Sequence, residues 1–205
     1  MRPGPLATGA GATGHDPFGI IVLAGGRGTR LGGRDKPGLV VGGRTLIGAV
    51  VAAGTAAGAR EVIVVGPERT GLDGVSFVTE DPPGVGPVPA LRRGLAEVTV
   101  PWVALLAADL PFLRPADLGT LRRAAAGHHG AVFADDTGRP QWLVGCWQAE
   151  ALRRAAVGYD STSLGGLLGP LGAVLVRLAP VPGVPPPWLD CDTPEDLDRA
   201  RAWVP

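Results

Sequence analysis

The sequence predicts an α/β fold, a three-layer α/β/α sandwich built on a mostly parallel sheet. Short apolar runs of strand length alternate with segments that carry helix-capping signals. Residues 19–23 form the first run, residues 46–57 follow as a helix capped by Thr45, and residues 61–65 form the second run. Because a strand–loop–helix–strand order favours a right-handed crossover, we expect the two runs to belong to one parallel sheet.

The same pattern continues to the end of the chain. Residues 102–107 are apolar throughout, which is typical of a strand buried on both faces at the centre of a sheet. Pro87 and Pro89 suit the first turn of a helix, and Thr193 caps another helix with Pro194 at its first position. The other predicted strands cover residues 75–78, 131–134, 143–147 and 173–176, and the other predicted helices cover residues 116–126, 149–156 and 164–168.

Composition indicates one globular unit. The chain has 205 residues, 45% of them hydrophobic and 19% charged, and its net charge of +0 argues against a non-specific nucleic-acid binder. No apolar run is long enough to span a bilayer, and the amino terminus lacks the apolar segment of a secretory signal. We therefore expect a cytoplasmic protein with no nucleic-acid or membrane partner, residues 1–16 being a disordered tail and residues 17–205 a single domain. Cys146 and Cys191 lie in apolar surroundings, which favours reduced core residues.

The stretch after the first strand predicts a polyphosphate site. Glycine lets backbone N–H groups approach a ligand without a Cβ in the way, and cations nearby neutralise phosphate charge. The glycines stand at positions 25, 26, 28, 32 and 33, and the cations are Arg27, Arg30, Arg34 and Lys36. Four cations within ten residues would repel one another unless an anion lay among them. The spacing fits neither a P-loop nor a dinucleotide fingerprint, so an ordinary surface loop stays open as the alternative.

Two charged residues are candidates for catalysis. Lys36 is the single lysine among the 19 Lys and Arg residues. An ammonium and a guanidinium are not interchangeable, so a lysine kept in so arginine-rich a chain indicates a need for the ammonium, with chance survival as the alternative. Asp109 follows the central strand, where α/β folds keep their ligands, although Asp is also a common turn residue.

Several stretches together resemble the molybdenum cofactor guanylyltransferases, which belong to the sugar-nucleotide-transferase-like nucleotidyltransferases. The first is similar to the signature L-A-G-G-x-x-x-R-M-G-x-D-K, and its matching residues are Leu23-Ala24-Gly25-Gly26, Arg30-Leu31-Gly32 and Asp35-Lys36. Residues 86–91 resemble G-P-L-A-G-L, residues 108–111 the metal-binding x-D-x-P, residues 139–143 R-P-E-P-L, and residues 190–197 N-I-N-T-P-E-D-L. The departures are Leu31, the pair Gly33-Arg34 before the Asp, Gln141, Trp142, Asp192 and the pair Gly66-Pro67, which stands where the family has Asn.

The resemblance implies a Rossmann-like fold of the nucleotide-diphospho-sugar-transferase type and a nucleotidyl transfer. GMP would pass from GTP to the phosphate of molybdopterin or its molybdenum form, with release of pyrophosphate. Lys36, Arg30 and Asp109 are implied as catalytic residues, and Mg²⁺ as a cofactor held by Asp109 and Asp192, with Asp190 as the alternative second ligand. The implied nucleotide-binding residues are Leu23, Ala24, Gly25, Gly26, Arg27, Gly28, Lys36, Gly66, Asp81 and Asp109, with Gly66 acting through its backbone.

The implied partners are GTP, a molybdopterin-type phosphate acceptor and, transiently, other molybdenum-cofactor enzymes, and we expect a monomer. We expect GTP to be preferred over CTP, because Gly25 stands where related cytidylyltransferases resemble L-A-A-G and carry a methyl group. The alternatives are a CTP-dependent molybdopterin cytidylyltransferase, and a MobA-like transferase with another acceptor such as a sugar phosphate or phospholactate. A non-catalytic nucleotide-binding protein is the alternative from another class, and the presence of Lys36 and Asp109 argues against it.

Overall fold

Seven strands form the central sheet of the protein, whose computed structural model describes residues 16–25 and 35–204. In chain order the strands are β1 Phe18–Leu23, β2 Val40–Val41, β3 Arg44–Thr45, β4 Glu61–Val65, β5 Ser76–Val78, β6 Trp102–Ala107, β7 Gly130–Ala134, β8 Pro140–Gln148 and β9 Val174–Arg177. The order across the sheet is β5-β4-β1-β6-β8-β7-β9, while β2 and β3 form a separate hairpin. Only β8 runs antiparallel to its neighbours in the large sheet, so the predicted mostly parallel sheet is confirmed.

Helices cover both faces of this sheet. Those described are α1 Leu46–Ala56, α2 Pro87–Glu97, α3 Pro115–Ala124, α4 Ala149–Ala156, α5 Leu164–Leu168 and α6 Pro194–Trp203. Helices α1 and α3 pack on one face and α2, α4 and α5 on the other, while α6 contacts the β2–β3 hairpin. The predicted three-layer sandwich is therefore confirmed.

The apolar runs of the sequence follow from this layering. Side chains of a strand point alternately to its two faces, so a strand with helices on both sides needs an apolar residue at every position. On β1, Ile20 and Val22 join the core under α1 and α3, whereas Ile21 joins the core under α2. On β6, Leu106 likewise joins the core under α1 and α3, and Leu105 joins the core under α2.

The larger predicted elements differ from the structure at their ends, and the turn predicted at residues 40–44 belongs to the short β2–β3 hairpin, whose two strands were not predicted. The predicted strand 143–147 begins earlier, at Pro140, because its first residues pair with β7 beyond a bulge between Val132 and Ala134. Cys146 and Cys191 are buried and free, as predicted. Of the predicted tail, residues 1–15 lie outside the described residues. Among the helices that are described, none is both long and apolar enough to cross a bilayer.

Candidate active site

The carboxyl ends of β1 and β6 meet at one edge of the sheet, where the predicted site lies. Hydrogen bonding continues past the strand ends: the N–H of Ala24 donates to the carbonyl of Val65 at 2.9 Å, and the N–H of Ala108 donates to the carbonyl of Leu23 at 3.2 Å. These bonds hold the start of the glycine loop and the Asp109 segment in register with the sheet. The first predicted loop residues and Asp109 are thus brought together, as parallel strands require.

Lys36 lies among carboxylates at this edge. Its Nζ forms ion pairs with Oδ2 of Asp109 and Oδ1 of Asp192, and its side chain is 19% exposed. Burial of the ammonium acts to lower the pKa of Lys36, but the two carboxylates outweigh burial and hold that pKa above its usual value. Lys36 is therefore a fixed cation at neutral pH, placed against the predicted metal ligand.

Three carboxylates form a group that could hold a divalent cation. Asp109, Asp190 and Asp192 each offer an oxygen within 4.8 Å of the others. Oδ1 of Asp109 is buried and has no hydrogen-bond partner among the described residues, which is costly for a carboxylate unless a ligand completes the site. Partial burial, together with the charges of Asp109 and Asp192, raises the pKa of Asp190. Oxygen donors of this kind are the ligands that Mg²⁺ prefers, so the residues fit the predicted cofactor.

The segment that carries Asp190 and Asp192 is anchored on both sides of the latter. Cys191, between the two acids, is fully buried in a small core with members of β2, α1 and α6. Thr193 caps α6: its hydroxyl accepts from the N–H of Asp196 at 3.1 Å, and the Asp196 carboxylate accepts from the N–H of Thr193 at 2.9 Å. This capping box fixes the backbone next to Asp192.

Gly66, the predicted backbone contact to the nucleotide, is held by the sheet edge. Its N–H donates to the carbonyl of Val78 at 2.8 Å, and its φ of +155° is one that residues with a Cβ rarely adopt. A Cβ there would lie 3.1 Å from the carbonyl of Ala24, so this position needs glycine for close packing. Only the carbonyl of Gly66 is left to act as a backbone contact. Four further predicted site residues, Gly26, Arg27, Gly28 and Arg30, lie outside the described residues.

Two adjacent acids, Glu80 and Asp81, follow β5. The sequence predicted Asp81 as the nucleotide ligand, but in the structure Glu80 is the acid that lies next to Gly25. Asp81, the predicted nucleotide ligand, is exposed, whereas Glu80 is 6% exposed. Oε1 of Glu80 accepts from the N–H of Gly84 at 2.9 Å and lies 3.3 Å from where a Cβ on Gly25 would stand. The sequence signal was the acidic pair itself, but the loop backbone decides which acid faces Gly25.

A model of the MobA-like NTP transferase domain matches residues 20–174, the part of the chain that holds the glycine loop, Lys36 and Asp109. The chain belongs to the MobA-like NTP transferase family. The molybdenum cofactor guanylyltransferase of Rhodobacter capsulatus is 35% identical to it over 88% of this chain and 93% of the relative. The probable molybdenum cofactor guanylyltransferase of Natronomonas pharaonis is 31% identical over 88% of this chain and 95% of the relative.

Solved structures agree with this membership of the MobA-like NTP transferase family. A nucleotidyl transferase from Methanothermobacter thermautotroptrophicus matches with a TM-score of 0.74 and 26% identity, covering 91% of this chain and 96% of that one. The fold class and the family resemblance predicted from the sequence are therefore confirmed.

Two departures from the MobA-like pattern lie on the first residues of β8, next to the carboxyl end of β6. Gln141, where the family signature has Glu, donates through Nε2 to Oδ2 of Asp135 at 2.9 Å. A glutamate would instead set two carboxylates against each other there. Trp142, where the signature has Pro, is half-buried and stacks on Trp147, with ring centroids 6.2 Å apart. Both departures therefore have local partners that stabilise them.

Proposed function

We propose that this protein is a molybdenum cofactor guanylyltransferase, which transfers GMP from GTP to the phosphate of molybdopterin or Mo-molybdopterin and releases pyrophosphate. Curated relatives of that name align with most of the chain. The observation that carries the proposal is the Lys36 ammonium, held between Asp109 and Asp192 at the carboxyl edge of the sheet. That arrangement places one fixed cation beside carboxylates suited to a metal–triphosphate complex.

The proposed reaction is an in-line displacement at phosphorus. A phosphate oxygen of the acceptor attacks the α-phosphorus of GTP, and the bond from that phosphorus to the bridging oxygen breaks, so that the electron pair leaves with pyrophosphate. Such a reaction needs positioning and charge neutralisation more than covalent help from the protein. Lys36 neutralises charge on the α-phosphate, and the N–H groups of residues 25–28, together with Arg30, bind the β- and γ-phosphates.

Asp109, with Asp192 or Asp190, would hold Mg²⁺ in this site. Mg²⁺ is usually bound by one or two protein carboxylates together with substrate phosphates, and the unpartnered buried Oδ1 of Asp109 fits such a ligand. When bound, the ion neutralises charge on the phosphate oxygens of the nucleotide. Lys36 contacts two of the same carboxylates, which balances part of their charge.

The position of Glu80 supports guanine as the base. Guanine presents two donors on one edge, N1–H and the N2 amino group, and a carboxylate can accept from both. Cytosine and adenine present an acceptor nitrogen beside their single amino group, and a carboxylate repels that nitrogen. The Glu80 carboxylate lies against Gly25 at the start of the loop, so a base placed there meets an acceptor. Asp81 contacts the nucleotide from the exposed side in this proposal.

We predict that pyrophosphate release with a molybdopterin acceptor is faster with GTP than with ATP or CTP, because each unsatisfied buried group costs about 1–3 kcal/mol. Gly25→Ala should harm GTP use more than CTP use, since the added Cβ would lie 3.3 Å from Glu80 Oε1. Gly119→Ala on α3 is the matched control, because its Cβ would meet only the flexible Arg123 side chain at the same 3.3 Å. A clear preference for CTP would replace the guanylyl assignment by the cytidylyl one. Parallel assays with a sugar phosphate and phospholactate test the acceptor.

The remaining parts of the proposal concern the cellular setting. A cytoplasmic location, a monomeric state, residues 17–205 as one domain and transient contact with other molybdenum-cofactor enzymes stay predictions. Size-exclusion chromatography with light scattering tests the monomer directly.

A further inference from the structure

We infer that Arg69 is a positioning residue of this active site, which grips Asp35 and thereby fixes the backbone that carries Lys36. Arg69 lies in the loop after β4, far along the chain from Lys36, and no motif of the sequence pointed to it. The inference rests on the proposed function in so far as it assigns Lys36 a role in nucleotidyl transfer.

The contact between Arg69 and Asp35 is a bidentate ion pair. Nη1 of Arg69 bonds to Oδ2 of Asp35, and Nη2 bonds to Oδ1 at 2.6 Å. Such a fork fixes orientation as well as distance, because both planar groups must align. The guanidinium therefore defines the direction of the Asp35 side chain, and not only its charge environment.

Stability alone does not account for this pair. The Arg69 side chain is 15% exposed and its Nε is buried without a hydrogen-bond partner in the described ranges, whereas the Asp35 side chain is 58% exposed. An ion pair with one exposed partner contributes little to folding, and an unsatisfied buried donor opposes it. Folding stability therefore gives little reason for this pair, and its place next to Lys36 points to a role in the site.

Asp35 is the residue next to Lys36 and part of the turn that presents it. The carbonyl of Asp35 accepts from the N–H of Gly38 at 3.1 Å, and the carbonyl of Lys36 accepts from the N–H of Leu39 at 3.1 Å, which together make one 3₁₀ turn. The Asp35 carboxylate folds over this turn so closely that a Cβ on Gly38 would collide with it. A single turn is too short to hold its own conformation, so the link to Arg69 supplies the missing restraint.

This restraint matters most when a ligand competes with Lys36 for the carboxylates that its side chain contacts. In the structure, Lys36 is held at its tip by Asp109 and Asp192, the same carboxylates that would take a cation. A ligand that competes for those oxygens loosens the tip of Lys36. The backbone at Asp35 then has to keep the ammonium in place, and Arg69 holds that backbone.

A double-mutant cycle tests the inference. Arg69→Ala and Asp35→Ala should each lower kcat for guanylyl transfer by about 10–100-fold with a smaller change in KM for the acceptor, because misplacing a catalytic group by about 1 Å can cost 10²-fold. The double variant should be no slower than the worse single variant, since both changes break one link. Arg69→Lys should be intermediate, because an ammonium cannot reproduce the fork.

A second readout needs no turnover. Amide hydrogen exchange of Gly38 and Leu39 in the free protein should speed up in Arg69→Ala and Asp35→Ala to the same extent. Arg93→Ala, which removes an exposed ion pair to Glu97 on α2, is the matched control and should change neither exchange nor kcat. Thermal melts verify that each variant is folded. If Arg69→Ala does not fold, Arg69→Lys replaces it in both experiments.

Two results would overturn the inference. Losses in kcat that multiply in the double variant would mean that Arg69 acts independently of Asp35, for example on the nucleotide itself. Unchanged exchange at Gly38 and Leu39 in Arg69→Ala would mean that the fork does not hold the turn. If the wild-type protein shows no guanylyl transfer, the proposed function fails, while the exchange experiment still decides the role of Arg69.

Discussion

At the scale of single residues, the site is a balance of one ammonium against three carboxyl groups. Lys36 contacts two of them, and Asp190 completes the group at its exposed side. Lys36 keeps its proton because nearby negative charge outweighs burial, whereas burial and the charges of Asp109 and Asp192 together raise the pKa of Asp190. Replacing any one member therefore changes the charge that the others face.

Lys36→Ala should lower kcat by about 10²–10³-fold, because it removes a preorganised cation at the point where charge develops. Lys36→Arg should also be impaired, since the planar guanidinium is bulkier than the ammonium between Asp109 and Asp192. Steady-state kinetics measure both, with circular dichroism as the control for folding. Wild-type rates in Lys36→Ala would rule out a role for this residue in turnover.

Asp109→Asn should abolish the Mg²⁺-dependent activity, because it converts a buried carboxylate with an unpartnered oxygen into a neutral amide. Asp192→Ala and Asp190→Ala distinguish the two candidates for the second ligand. Removal of the true ligand should raise the Mg²⁺ concentration needed for half-maximal rate, and removal of the other acid should not. Titration of Mg²⁺ in the activity assay measures this, and we expect weak Mg²⁺ binding without nucleotide. A wild-type Mg²⁺ response in Asp109→Asn would make Asp109 a turn residue only.

At the scale of elements, each side chain of the site stands at an element end that is fixed by ordinary local interactions. Asp109 follows β6, Lys36 opens a 3₁₀ turn, and Asp192 precedes the capping box of α6. Strand and helix ends leave backbone groups and polar side chains free to meet a ligand, while the elements themselves stay packed. The α6 cap is the clearest of these devices.

Thr193→Ala should lower the free energy of unfolding by about 1 kcal/mol, the usual cost of losing an N-cap. Thr120→Ala is the control, because the Thr120 hydroxyl caps no helix end: it donates to the carbonyl of Ala116 and accepts from Arg123, both within α3. Urea denaturation at pH 7 measures both. Equal stability of Thr193→Ala and the wild type would show that the cap is dispensable.

The same cap has a defined pH dependence. Partial burial acts to raise the pKa of Asp196, but hydrogen bonds from Thr193 and Arg199 outweigh it and lower that pKa. Stabilisation by Asp196 is therefore present above its unfolded pKa and is lost as the pH falls through the folded value. The difference in free energy of unfolding between Asp196→Asn and the wild type, measured by urea denaturation, should therefore shrink as the pH falls through the folded pKa of Asp196.

At the scale of the whole molecule, two large cores on either face of the sheet carry most of the buried apolar surface, and a small third core lies beside the site. Cys146 belongs to a large core and Cys191 to the small one. Regions with fewer buried contacts open at lower free energy than the central sheet. The site should therefore open locally before the protein unfolds.

Both thiols should react slowly with a thiol reagent at neutral pH, because burial raises the pKa of each to about 12 and shields each from the reagent. With rising urea, Cys191 should be labelled before Cys146, as resolved by mass spectrometry of peptides. Fully denatured protein, in which both react, is the control. Simultaneous labelling would mean that the small core does not open separately.

The sequence by itself determined the class of the fold, the position of most elements and the centre of the site. It could do so because strand burial, capping and glycine loops depend on neighbours in the chain, as the apolar run of β6 and the Thr193 cap show. Lys36 stood out as the single lysine of an arginine-rich chain, and Asp109 stood out because it follows the apolar central strand.

Only the tertiary structure decided which distant residues meet. Lys36 and Asp192 are 156 positions apart, and Arg69 and Asp35 are 34 positions apart, so each contact depends on how the sheet stacks its strands. The antiparallel insertion of β8 and the choice of Glu80 over Asp81 as the acid facing Gly25 likewise depend on long-range pairing and on loop backbone. No local pattern encodes these choices, because they are set by packing between elements that the chain brings together only on folding.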